Sequence, residues 1–102
     1  MCANEVIHEE RSPDGERRVV VFERDCGATT RESTQVMILH ADAVLPNEGG
    51  NAFVAYVDPT LVRVSWAIAN SLILSRPNLP MNSIFLQEPK ADEVSIAYAT
   101  RE

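Results

Sequence analysis

Apolar residues fall in short bursts separated by turn-forming polar stretches, and no burst keeps a helical period for long. The strongest burst is Val19-Val20-Val21-Phe22. Residues 17–24 around it carry apolar side chains on both faces, the pattern of a central strand covered on both sides. Ser12-Pro13-Asp14-Gly15 upstream is a turn signal, with proline at the second position and Asp and Gly at the third and fourth. A charged segment at 5–11, with Val6 and Ile7 as its apolar content, predicts a short strand before that turn. Residues 34–40 restart a β pattern, so 17–24 and 34–40 read as a hairpin with a wide polar loop. Residues 41–51 are irregular, with one helical turn over 41–45, and 52–57 form a further strand.

Residues 58–76 admit two readings. Asp58-Pro59 suits a helix start, yet the apolar side chains that follow scatter around a helical wheel. Val62, Val64 and Trp66 share one strand face, with Arg63 and Ser65 on the other. Two strands at 61–67 and 71–75, turning near Ala69-Asn70, are preferred. Strands at 84–86 and 94–98 complete the pattern, the latter alternating as an outer strand with one covered face. The expectation is an all-β single domain over 1–102: about seven short antiparallel strands in a sandwich or open barrel, with at most one short helix.

Composition agrees with a globular domain: 102 residues, 45% hydrophobic and 24% charged. The net charge is −6, Lys90 is the only lysine, and no basic cluster exists, so direct nucleic-acid binding is not expected. The acidic N-terminal residues Glu5, Glu9, Glu10, Asp14 and Glu16 read as a solvated face. They equally suit a surface for a basic partner, as in an inhibitor that mimics nucleic acid. No apolar run is long enough to span a membrane, and no secretory leader pattern is present. Met1-Cys2-Ala3-Asn4, however, looks like the start of a mature bacterial lipoprotein with methionine in place of its signal. The alternative is a cytosolic start with an incidental cysteine. A disulfide between Cys2 and Cys26 is open to an oxidising compartment, whereas a lipid on Cys2 would exclude it.

The densest polar chemistry lies in Arg24-Asp25-Cys26-Gly27-Ala28-Thr29-Thr30. Together, residues 12–39 resemble a family of small bacterial proteins of unknown function bearing an Arg-Asp-Cys-Gly-Ala-Thr-Thr signature. Asn51-Ala52-Phe53-Val54-Ala55 and Val64-Ser65-Trp66 extend the likeness over most of the chain. Many members look like exported lipoproteins or envelope-associated proteins, which implies an envelope or periplasmic location, with Cys2 as the one route to a membrane. The resemblance brings no activity with it. Arg31-Glu32 departs from the family, whose members carry a glycine followed by an aromatic residue there.

Three site readings follow. As an anion or ligand site, Gly27 and neighbouring amides would form a nest, with Arg24, Asp25, Cys26, Thr29 and Thr30 around it and Arg31 adding charge. The competing reading has the same groups bonding their own loop. As a thiol enzyme, Cys26 would need His8 or His40 as its base. A metal site from His8, His40, Glu9, Glu10 and Asp42 lacks ligand spacing, and no cofactor is expected. Trp66 reads as a core anchor. The leading expectation is a non-enzymatic envelope module that binds an unidentified protein or plays a structural part, with strand-edge pairing of two copies as an option. A cytosolic acidic inhibitor and a small thiol- or anion-dependent enzyme are the alternatives.

Overall fold

Side-chain alternation on one strand organises the molecule. In the computed structural model, which describes residues 1–27 and 31–101, Val19 and Val21 of β2 (Arg17–Asp25) point into one core while Val20 and Phe22 point into another. β2 pairs antiparallel with β1 (Ala3–Arg11) and β3 (Ser33–His40). β4 (Phe53–Ala55) and β7 (Ile84–Gln87) complete a five-stranded sheet ordered β1-β2-β3-β4-β7. The second sheet has four strands, β5 (Arg63–Ile68), β6 (Ser71–Pro77), β9 (Val94–Arg101) and β8 (Lys90–Ala91), in the order β5-β6-β9-β8.

The sheets face each other as a sandwich. Val36, Ile38 and Phe53 of the first sheet meet Val64, Leu72, Leu74, Val94 and Ile96 of the second in the main core. The all-β expectation is realised, and the ambiguous stretch folds as the β5–β6 hairpin. Asp58 does cap a helical turn, but it is a single 3₁₀ turn, Pro59–Leu61, ended where extended backbone resumes at Val62. Three features differ from the expectation. The β6–β9 pair is parallel, which places β9 inside its sheet with one face covered, and β8 is too short for its two residues to leave a pattern. The expected helical turn over 41–45 is absent, because the Arg18 guanidinium takes the carbonyls of His40, Ala41 and Ala43.

That segment has another task. Residues 41–51 cross the outer face of the first sheet and lay Leu45 over Val20, Phe22, Met37 and Leu39. A chain packed flat on a sheet must have its polar groups satisfied. Asn51 bonds both N–H and C=O of Ile38, and Gly50 N–H donates to Gln35 Oε1 at 2.6 Å. At Gly50 a Cβ would lie 2.5 Å from the Val36 carbonyl oxygen, so only glycine permits the approach.

The Ser12–Gly15 turn closes as its residues predict: Gly15 N–H donates to Ser12 C=O at 2.9 Å, and the Asp14 carboxylate accepts from the Ser12 hydroxyl. That hydroxyl and the Glu16 amide hold the Asp14 carboxyl below its usual pKa.

Candidate interaction site

The sequence placed its reactive-looking groups in one loop, and the fold commits most of them to structure. Ala3 pairs with Asp25 across β1 and β2, which sets Cys2 beside Cys26, and the two are joined by a disulfide. Cys26 therefore offers no thiolate in this state. The same bond leaves Cys2 Sγ no valence for a lipid thioether, so the two sequence readings of Cys2 exclude each other. Arg24 turns toward the outer face, where its Nη1 donates to Asn4 Oδ1 at 2.7 Å and Asn47 Oδ1 at 3.0 Å. Asn47 in turn donates to the Cys2 carbonyl, and Asn4 to the carbonyls of Pro46 and Glu48. This network ties the covering segment 41–51 to the disulfide end of the β1–β2 ribbon.

Gly27 has a φ of +117°, which disfavours any side chain, and its amide donates to Asp25 Oδ1 at 3.0 Å. Arg31 stacks its guanidinium over the Tyr56 ring, 4.4 Å from the centroid. Thus Arg24 and Arg31, the charges expected around an anion, are both engaged elsewhere, and Asp25 bonds the backbone of its own loop at Gly27. Thr29 and Thr30 lie outside the described residues. His8 bonds Glu10 at 3.0 Å, and among the described residues no three of His, Cys, Asp or Glu gather in a way that could hold a metal.

The disulfide of this loop straps an edge of the first sheet, β1. β1 is paired on one side only, and nearly all of it is exposed. Its N-terminal end is strapped by the disulfide. Toward its C-terminal end the Trp66 indole of β5 donates to the Glu10 carbonyl at 3.2 Å, so Trp66 anchors the core and also ties the two sheets' edges together. Between these straps the β1–β2 register slips between Val6 and His8, a bulge that places Ile7 outside the ladder.

The edges of β1 and β5 flank a groove of about 340 Å³. Ile7 forms one wall, and Pro59, Val62 and Val64 form the apolar remainder, with His8, Thr60 and Arg63 at its polar margins. At the disulfide end, Glu5 faces Glu23 across the ribbon. Desolvation raises the Glu23 pKa, and the negative charges of Glu32, Glu5 and Asp58 raise it further. No cation pairs with any of these four carboxylates among the described residues. Sequence reasoning saw Ile7 as minor strand content and missed the groove, because only the sandwich brings 59–64 beside β1. The excess of Glu on the N-terminal segment was the one advance signal.

Comparison of the chain with models of known protein families, with curated proteins and with solved structures finds no match.

Proposed function

We propose that this protein is a small non-enzymatic interaction module of the bacterial cell envelope. One observation carries the reading: β1 is an open edge strand held rigid at both ends, by the Cys2–Cys26 bond and by Trp66. Exposed edges of this length invite pairing, and folded proteins ordinarily shield them. Here the shielding is partial and the strand is strapped rather than covered, as suits a surface kept ready for a partner. The disulfide supports an oxidising compartment, since such bonds persist outside the reducing cytosol. Commitment of Cys26, Arg24, Asp25 and Arg31 to the fold removes support from the enzyme alternative.

The test uses a photo-crosslinking amino acid placed in turn at the exposed apolar positions Ile7, Val44 and Phe85 of the protein in its producing cells. A discrete adduct from at least one position, in an envelope fraction where the two cysteines are oxidised, is the expected result. Absence of adducts at all three positions, or free thiols in the native protein, overturns the reading.

A further inference from the structure

We infer that the β1–β5 groove binds an extended peptide segment in which an apolar residue and a basic residue stand two positions apart. This inference rests on the interaction-module reading and names the partner's chemistry. The argument starts from the open edge. A strand laid along β1 over residues 5–9 finds a backbone edge that no other strand occupies among the described residues. Side chains on one face of that added strand recur every second residue, about 6.6–6.8 Å apart. One such side chain falls into the space between Ile7 and Val62–Val64. The neighbour two residues along reaches the end where Glu5, Glu23, Glu32 and Asp58 gather, with no cation paired to them among the described residues. A lysine or arginine there supplies the positive charge that complements this acidic group.

Charge also decides against the obvious competitor. A second copy pairing antiparallel through β1 about Ile7 would set Glu5 opposite Glu9 twice over, and directly opposed like charges destabilise a sheet pair. A hetero-segment carrying positive charge avoids the like-charge opposition.

The experiment uses the oxidised full chain and blocked synthetic peptides followed by amide chemical shifts. The first probe is Ser-Thr-Val-Thr-Arg-Thr-Ser; the second replaces its arginine with glutamate, and the third moves arginine next to valine. The first should shift amides within residues 6–9 and 60–64 and bind at least tenfold more tightly than either of the others. Ile7→Asp should weaken it at least tenfold. Glu5→Lys combined with Glu32→Lys should reverse the preference toward the glutamate peptide. All three positions are exposed, so an unchanged thermal transition checks that the variants fold. Equal binding of the three peptides, or shifts away from the groove, overturns the inference. So does cytochrome c, a basic folded protein, displacing the first peptide, because the surface would then read folded positive charge. Concentration-dependent dimers abolished by Ile7→Asp would do the same. An in-cell adduct from Val44 or Phe85 but not Ile7 overturns the groove and leaves the interaction module standing; no adduct anywhere overturns both.

Discussion

Gly50 and Tyr98 are the residues whose local chemistry reaches furthest. The segment carrying Gly50 is pressed against β3 backbone, and a methyl group there would meet the Val36 carbonyl at 2.5 Å. Gly50→Ala should therefore destabilise the protein by roughly 1–3 kcal/mol in chemical denaturation, mainly by lifting Leu45 off the outer core. Tyr98 joins the two sheets from the side: its hydroxyl donates to the Glu88 carbonyl at 2.6 Å, with the Ala52 carbonyl 3.1 Å from the same oxygen. Burial first, and the Glu88 charge second, push its pKa up to about 12. The neutral phenol is the form the fold favours, so this stabilisation is complete below pH 10 and is lost as pH rises from about 10 to about 12. Absorbance titration should show a late phenol step that Tyr98→Phe removes, and that variant should lose roughly 1–2 kcal/mol at neutral pH. Neither role was legible in the sequence. A glycine's close contact and a tyrosine's partners depend on what the chain brings opposite them.

Strands were far more legible than their partners. The runs at 17–24 and 34–40 announced themselves because both faces are buried, and β9 because one face is. The β6–β9 pairing was hidden, since nothing local to either strand distinguishes a parallel neighbour from an antiparallel one. The heptad was legible as a special loop, but its meaning depended on Cys2 and Asn47 arriving from elsewhere. Two predictions belong at this level. Reduction, or Cys26→Ser, should cost about 3 kcal/mol by the loop-entropy argument, read as a lower denaturant midpoint, and should loosen the Cys2 end of β1 first. The turn joining β8 to β9 holds Asp92 at φ +46° and Glu93 at φ +66°, values typical of asparagine and glycine. Arg17 clasps it by bonding the Asp92 carbonyl and both carboxylates. Glu93→Gly should raise stability by about 1 kcal/mol in thermal unfolding, because relief of the left-handed backbone outweighs one exposed ion pair.

Across the whole molecule, burial is uneven in a way that exchange measurements can read. Val19–Phe22 and Val36–Ile38 lie between two cores, whereas β1 between its straps touches little besides β2. Amides of Val20, Val21 and Met37 should exchange slowest, and those of Ile7 and His8 orders of magnitude faster, with the disulfide intact. The arrangement sets the exposed β1 edge against a doubly covered pair of central strands. Placement of β9 between β6 and β8 has a consequence for how the protein comes into being. Until residues 94–101 have been synthesised, β6 lacks one neighbour and Leu72 and Leu74 have half a sheet to pack in. The second sheet therefore closes only when β9 takes its place between β6 and β8. Assembly of the second sheet is thus a single event keyed to one strand, and β6 and β8 gain their common neighbour together.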